Sequence, residues 1–147
     1  AKTRRASYPL VRSFKMAAVG PQAANCFGDL TVTVLKAKVT VDVETLGKQD
    51  PYVKIWLNTQ DKDEAQKTKT HENGGKNPEW NQEFKMPKLE GNERTLEIEM
   101  WDDDIGLDDK ICFASIDLRS LVLQDPNPKW HQLFRTSGLL KKTKPVG

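Results

Sequence analysis

Seven carboxylates fall in two short stretches of this chain, each at the end of a probable β-strand. They are Glu44 and Asp50 in the first stretch, and Asp102, Asp103, Asp104, Asp108 and Asp109 in the second. Acids at this density repel one another unless a cation lies between them. Carboxylate oxygens without neighbouring His or Cys suit Ca²⁺, which takes roughly six to eight oxygen ligands in flexible loops. The alternative is a pair of solvated acidic turns.

Other chemistries fit the sequence poorly. An EF-hand loop counted from Asp102 needs Gly at its sixth position and Glu at its twelfth, where Leu107 and Phe113 stand. His71 and His131 lie far from any Cys or Ser motif, and the sequence has neither a phosphate-binding Gly loop nor an H-E-x-x-H motif. We therefore expect a binding protein and not an enzyme.

Composition sets the scale of the fold. The 147 residues, of which 37% are hydrophobic and 30% charged, predict one domain with a single core. No window approaches the roughly 18 apolar residues of a transmembrane helix. Cys26 and Cys112 match no metal or redox spacing, so we expect two unpaired thiols in a reducing compartment.

The net charge of +2 is unevenly distributed. Residues 1–28 carry five cations and residues 135–147 carry four, with no acid in either segment, so the part between them has a net charge of −7. Basic ends favour anionic lipid, nucleic acid or an acidic protein face, or they simply aid solubility. We interpret residues 1–28 as a flexible basic arm, residues 29–135 as the folded domain, and residues 136–147 as a basic tail or final edge strand.

Alternating apolar and polar residues predict the strands that position the acids. Leu30, Val32 and Val34 are apolar, and the alternation then changes phase before Ala37 and Val39, which predicts a bulge.

Pro51 can open the next strand, because no ladder donor is needed there. Val53, Ile55 and Leu57 are then expected to point inward, and Tyr52, Lys54 and Trp56 outward. Further strands are predicted at Lys67–Thr70, Trp80–Met86, Leu96–Met100, Cys112–Leu118 and Trp130–Phe134, with a weaker one at Gly138–Thr143 and one helical turn at Ser120–Leu123. Seven or eight short strands at this spacing predict an all-β sandwich, and we expect it to be eight-stranded and antiparallel.

Three segments, in this order along the chain, resemble the C2 domain family. They are Asp50-Pro51-Tyr52-Val53-Lys54, the stretch Asn77–Phe84 with its Asn-Pro-Glu-Trp start, and Leu96–Asp104. The resemblance covers roughly Gly28 to Phe134 and implies a sandwich that binds Ca²⁺ between two loops at one end. It implies Glu44, Asp50, Asp102, Asp104 and Asp109 as ligands, with the backbone carbonyl of Asp103.

The chain departs from the family pattern at three points. Glu44 stands where the family usually has Asp, and Cys112 stands where a Gly usually follows the third loop. The third loop is about one residue short, so either Asp108 or Asp109 could be its last ligand.

The resemblance also implies membrane contacts. In C2 domains that dock on membranes, apolar loop tips enter the bilayer, and the tips here are Leu46, Ile105 and Leu107. The alternative is that these side chains cover the end of the sandwich. Lys54, Lys67 and Lys69 resemble the family's basic face for lipid headgroups, or they form an ordinary solvated surface.

We therefore expect Ca²⁺-dependent binding to anionic phospholipid membranes by a cytoplasmic, peripheral membrane protein, without nucleic acid. The alternative is a structural accessory subunit of a larger complex, held by a protein partner that binds the N-terminal arm through Tyr8, Leu10, Phe14 and Phe27. Because the arm is rich in Arg and lacks acids, that complex could be mitochondrial.

Overall fold

The computed structural model describes residues 10–19, 27–44, 46–120 and 127–135. Its strands are β1 Leu10–Val19, β2 Phe27–Gly28, β3 Thr31–Val39, β4 Pro51–Leu57, β5 Gln66–Lys67, β6 Glu79–Lys85, β7 Leu89–Glu90, β8 Thr95–Asp102, β9 Asp109–Asp117 and β10 Lys129–Phe134. A single 3-10 turn spans Lys62–Glu64. Within these ranges no helix is long and apolar enough to cross a membrane.

Eight of the strands form one continuous antiparallel sheet in the order β5-β4-β8-β9-β10-β1-β3-β6, and β2 pairs with β7 in a separate ribbon. The pairing between β9 and β10 is the shortest in the sheet and consists of one residue pair, Phe113 and Phe134. At this seam the sheet divides into two four-stranded layers that share one hydrophobic core. The predicted all-β, eight-stranded antiparallel sandwich is confirmed.

The alternating apolar residues of β3 and β4 face the hydrophobic core. Val32, Val34, Ala37 and Val39 are buried, and the register with β6 shifts between Val34 and Lys36, so the predicted bulge is present. The shift keeps all four side chains on the core face despite the change of phase.

In β4 the predicted inward residues, Val53, Ile55 and Leu57, are fully buried. Tyr52 was expected to point outward, yet only 7% of it is exposed. It lies outside the core cluster and is covered by a contact with the third loop that is described below. The outward position of Tyr52 on β4 therefore does not leave it exposed.

The structure corrects the expectation of an arm over Leu10–Val19, because these residues form β1. β1 lies between β10 and β3 and pairs with both along its length. Met16 and Ala18 are buried in the core. Both partner strands come later in the sequence, so this order results from tertiary pairing that local periodicity does not reveal. Tyr8 and the rest of residues 1–9 lie outside the described residues.

Smaller elements differ in extent from the predictions. The predicted strand Lys67–Thr70 is recorded as the short β5, although the amides of Thr68 and His71 continue to donate to the β4 carbonyls of Val53 and Pro51. β2 and β7 were not predicted. The predicted strand at Gly138–Thr143 and most of the helical turn at Ser120–Leu123 lie outside the described residues, as does Cys26, whereas Cys112 is a buried free thiol.

The ribbon of β2 and β7 depends on a close approach at Gly91. Gly91 has φ +90°, and a Cβ built there would lie 2.7 Å from Cζ of Phe27. We expect Gly91→Ala to lower the free energy of unfolding, measured by urea denaturation, by the backbone strain of roughly 1 kcal/mol and by a further 1–3 kcal/mol or so for displacing the ring.

Gly47 provides a matched control, because it also has φ +90° but has no atom within 4 Å of a built Cβ. Gly47→Ala should show the backbone strain alone. Equal losses in the two variants would show that the Phe27 ring moves aside without cost.

Candidate metal centre

Strand register brings three loops together at one end of the sandwich. The first loop, residues 40–50, joins β3 to β4, and the third loop, residues 103–108, joins β8 to β9. Asp102 pairs with Pro51 on one side and Asp109 on the other, so the first and third loops are neighbours. The second loop, residues 68–78, leads into β6, whose first residue Glu79 pairs with Lys36 near the end of β3.

Three of the predicted ligands converge between these loops. One carboxylate oxygen from each of Glu44, Asp102 and Asp104 lies within 4.8 Å of the other two. Asp102 is completely buried, and Glu44 and Asp104 are half-buried. The cluster therefore offers hard oxygen donors from two loops at a spacing that a single cation could bridge.

Of the three carboxylates, Asp102 is the most buried, and few donors offset its negative charge. Its Oδ1 accepts a hydrogen bond of 2.7 Å from the backbone N–H of Asp50. Its Oδ2 is buried and has no hydrogen-bond donor among the described residues, and the side chain that bonds Asp102 is Glu44, an acid that can donate only when protonated. A buried carboxylate oxygen without a partner is costly unless a positive charge is nearby. The atom therefore fits a metal ligand and does not fit a purely structural role.

Hydrogen bonding, burial and the neighbouring acids raise the pKa values of two carboxyl groups in the cluster. A side-chain hydrogen bond with Asp104, partial burial and the neighbouring acidic charges raise the pKa of Glu44 to about 7. Burial raises the pKa of Asp102, against the lowering effect of the hydrogen bond from the Asp50 backbone. The site thus favours binding a proton where a cation is lacking.

The other predicted ligands lie around this cluster without joining it. Asp50 Oδ1 accepts from the backbone N–H of Asn73 at 2.6 Å, and Asp103 Oδ2 accepts from the Thr70 hydroxyl at 2.8 Å. Both side chains therefore tie the second loop to its neighbours. Asp109 is exposed at the start of β9.

Asp108 is engaged through both carboxylate oxygens. Oδ2 accepts from the Tyr52 hydroxyl at 2.6 Å, and Oδ1 accepts from the backbone N–H of Asp104 at 3.0 Å. These two hydrogen bonds hold the pKa of Asp108 below its ordinary value.

Gln49 fixes the first loop, and sequence reasoning missed it. Its buried side-chain amide donates to the carbonyls of Val41 and Gly75 at 2.9 and 2.8 Å, and its Oε1 accepts from the Val43 N–H at 3.2 Å. The residue before Glu44 is thereby fastened to the second loop. No local pattern marks a glutamine in a polar loop as buried, so the sequence carried no signal for this role.

The apolar loop tips point into solvent. Leu46 is 87% exposed, Leu107 is 90% exposed and Ile105 is fully exposed. The alternative that these side chains cover the end of the sandwich is therefore wrong. Three large, exposed apolar side chains beside an acidic cluster are typical of a surface that binds an apolar partner.

The lysines predicted to bind lipid headgroups lie on β4 (Lys54), on β5 (Lys67) and in the second loop (Lys69). Lys54 Nζ lies 4.6 Å from the centroid of the Trp101 ring, and Lys54 pairs across the strands with Lys67. Lys69 is exposed in the second loop.

Beside these lysines, buried Glu99 accepts hydrogen bonds from Lys62, Lys110 and the indole N–H of Trp101. Sequence reasoning missed these partners, because the 3-10 turn and β9 bring them in from separate parts of the chain. One carboxylate thus neutralises only part of the positive charge on this face.

The chain belongs to the C2 domain family, whose profile matches residues 28–133. The "Calcium-dependent lipid-binding protein" of Arabidopsis thaliana is 36% identical over 94 residues, which are 64% of this chain and 18% of that protein. "16 kDa phloem protein 2" of the same plant is 34% identical over 102 residues, covering 69% of this chain and 66% of that protein.

Solved structures agree with this assignment. A C2 domain of RIM from Drosophila superposes with a TM-score of 0.69 at 26% identity, covering 85% of this chain and 99% of that one. A C2 domain of plant Extended Synaptotagmin 1 gives 0.55 at 31% identity, covering 64% and 71%. Among the curated relatives, the chain spans only 18% of the lipid-binding protein and 17% of Arabidopsis Synaptotagmin-3.

The raised pKa of Glu44 predicts how stability depends on pH in the presence of a chelator. The folded value of about 7 lies above the ordinary 4.5, so the folded state binds the proton more tightly. The resulting stabilisation is complete below the unfolded value and is lost as the pH rises through about 7. We expect the chelated protein to lose more stability than Glu44→Gln between about pH 5.5 and about pH 8, measured by urea denaturation.

Glu44→Gln cannot titrate at this position, so it serves as the reference across the pH range. Parallel pH profiles for the two proteins would show that Glu44 titrates normally and that the carboxylates are further apart in solution.

Proposed function

We propose that this chain binds Ca²⁺ through Glu44, Asp102 and Asp104 and uses the bound ion to dock on anionic phospholipid. The observation that carries the proposal is Asp102 Oδ2, a buried carboxylate oxygen that has no partner among the described residues and lies beside two further carboxylates. The donor set consists of oxygen atoms alone, which suits Ca²⁺ better than zinc or other metals that prefer nitrogen and sulfur.

Further donors lie within the same loops. By its resemblance to the family, the chain would add Asp50, Asp109 and the backbone carbonyl of Asp103. Asp108 is the weaker candidate, because both of its oxygens already accept hydrogen bonds. Glu44 is one methylene longer than the usual aspartate, and the Gln49 contacts that hold Val41 and Val43 limit where its carboxylate can reach.

Membrane docking follows from the charge and the exposure of the loops. Without a cation, the acidic cluster repels anionic lipid. Bound Ca²⁺ would cancel this charge and supply coordination positions for phosphate oxygens. Leu46, Ile105 and Leu107, already exposed at the loop tips, would then be free to enter the interface. Burial of one leucine side chain is worth roughly 1.5–3 kcal/mol.

The basic face would add headgroup contacts. Lys54 and Lys67 are cross-strand neighbours, and Lys69 is exposed beside them. A lysine near an anionic surface contributes about 1 kcal/mol. Lys54 stacks over Trp101, which orients its ammonium group and lowers the entropy lost on binding.

The proposed role is that of a peripheral binding module and not of a catalyst. The name of the Arabidopsis calcium-dependent lipid-binding protein supports it. The alternative of a structural accessory subunit depended on the N-terminal arm, but Leu10–Val19 pairs within its own sandwich. The mitochondrial location gains no support from the relatives described above.

Calorimetric titration tests the metal site. We expect Ca²⁺ to bind at micromolar to millimolar concentrations and the paired substitution Asp102→Asn with Asp104→Asn to abolish the heat. Asp102→Asn alone should keep the hydrogen bond from the Asp50 N–H and remove the buried charge, so the chelated variant should unfold at a temperature equal to or above that of the wild type.

This pairing separates lost binding from lost folding. Ca²⁺ should raise the melting temperature of the wild type, because a ligand that binds only the folded state stabilises it, and should leave the double variant unchanged. Absence of heat at millimolar Ca²⁺ with the folded wild type would rule out the proposed metal site.

Vesicle sedimentation tests the docking step. Vesicles that contain anionic lipid should sediment the protein in Ca²⁺ and not in chelator. Leu107→Ala should weaken sedimentation by about five- to thirtyfold, which corresponds to about 1–2 kcal/mol of lost apolar burial.

Phe27→Ala is the matched control, because Phe27 is also a large exposed apolar residue, at 58%, but lies in the β2–β7 ribbon away from the loops. It should leave sedimentation unchanged. Equal sedimentation of the wild type in Ca²⁺ and chelator would contradict calcium-dependent docking and leave only attraction through the basic segments.

A further inference from the structure

Tyr52 connects a rigid strand to the third loop. It lies in β4 one residue after Pro51, and 7% of it is exposed. Its hydroxyl donates to Asp108 Oδ2 at 2.6 Å, and the other oxygen of that carboxylate accepts from the backbone N–H of Asp104 at 3.0 Å. Two hydrogen bonds therefore join the sheet to the peptide group of a residue in the carboxylate cluster.

The tip of the third loop has little else to hold it. Ile105, Gly106 and Leu107 are exposed, and Gly106 has φ +114° with nothing within 4 Å of a built Cβ. Apart from the side-chain hydrogen bond between Glu44 and Asp104, the hydrogen bonds that the structure describes between residues 104 and 108 are the two that Asp108 accepts. The backbone N–H of Asp104 is thus bound to one carboxylate, and that carboxylate is bound to Tyr52.

The contact also separates the two adjacent acids at the end of the loop. Asp108 directs both oxygens at protein donors, whereas Asp109 is exposed and begins β9. A carboxylate whose two oxygens accept from a phenol hydroxyl and a backbone amide has fewer lone pairs left for a cation, and the two donors fix its orientation. The geometry assigns Asp108 to stabilising the loop and leaves the carboxylate of Asp109 available as a metal ligand.

We propose that Tyr52 is a positioning residue for the metal centre, which acts through Asp108 to fix the backbone of Asp104 and so the place of its carboxylate. This inference rests on the proposed Ca²⁺ function for its consequence but not for its structural part. Tyr52→Phe removes the hydroxyl and keeps the ring, the charge of the loops and every carboxylate.

The experiment has two measurements on the whole chain. Amide hydrogen exchange, followed by NMR in chelator, should show the Asp104 N–H exchanging about tenfold faster in Tyr52→Phe, as expected for losing a hydrogen bond to a charged group. Calorimetry should show the dissociation constant for Ca²⁺ rising by a similar, roughly tenfold factor.

A double-mutant cycle distinguishes positioning from ligation. If Tyr52 acts through Asp108, Tyr52→Phe should add little to the loss caused by Asp108→Ala, because the two variants break one chain of contacts. Additive losses in Ca²⁺ affinity would overturn the inference. Asp109→Asn removes one negative charge, as Asp108→Ala does, and so serves as its control. It should leave the exchange rate of the Asp104 N–H in chelator unchanged while weakening Ca²⁺ binding.

The exchange and the calorimetric measurements test different parts of the inference. Unchanged Asp104 exchange in Tyr52→Phe would overturn the role of Tyr52 whatever the calorimetry shows. A wild type that binds no Ca²⁺, with faster Asp104 exchange in Tyr52→Phe, would overturn the proposed function and support the hold of Tyr52 on the loop.

Discussion

Repulsion among carboxylates that the sandwich forces together is the constraint on which the loop end of this protein depends. Asp102 is the last residue of β8, whose side chains Leu96, Ile98 and Met100 are buried in the core. It pairs with both Pro51 and Asp109, so it cannot move away from Glu44 and Asp104 without breaking the register of three strands. The apolar core thus holds the acids close. The hydrogen bond with Asp104 raises the pKa of Glu44, burial raises the pKa of Asp102, and the neighbouring carboxylate charges add to both effects.

This arrangement gives the molecule a surface divided by charge. The acidic cluster and the three exposed apolar tips share one end, and Lys54, two residues beyond Tyr52 in β4, begins the basic face with its cross-strand neighbour Lys67. Glu99 forms salt bridges with Lys62 and Lys110 and accepts from the indole N–H of Trp101, so this single carboxylate neutralises only part of the positive charge on that face. An anionic surface that approaches the loops would therefore meet repulsion at the tip and attraction at the side until a cation binds.

Local patterns in the sequence predicted the parts that such patterns encode. Alternation in β3, its change of phase after Val34 and the inward residues of β4 follow from period-two packing and are all present. β1 was missed because its order comes from pairing with β3 and β10. The residue types of the site were predicted, but which carboxylates meet was not. Asp108 and Asp109 are adjacent acids in the sequence, and only the structure shows that Asp108 accepts from Tyr52 and from the Asp104 N–H while Asp109 is exposed.

The site also depends on two side chains that no sequence pattern marks. Gln49 binds the backbone of the first loop at Val41 and Val43 and that of the second at Gly75, while Tyr52 acts on the third loop from the neighbouring strand. Each uses a neutral polar group, so neither adds to the repulsion at the cluster or competes with it for a cation. Hydrogen bonds between Gln49 and backbone groups, and from the Tyr52 hydroxyl to the Asp108 carboxylate, join the acidic loops and, among the described residues, leave Oδ2 of Asp102 without a donor.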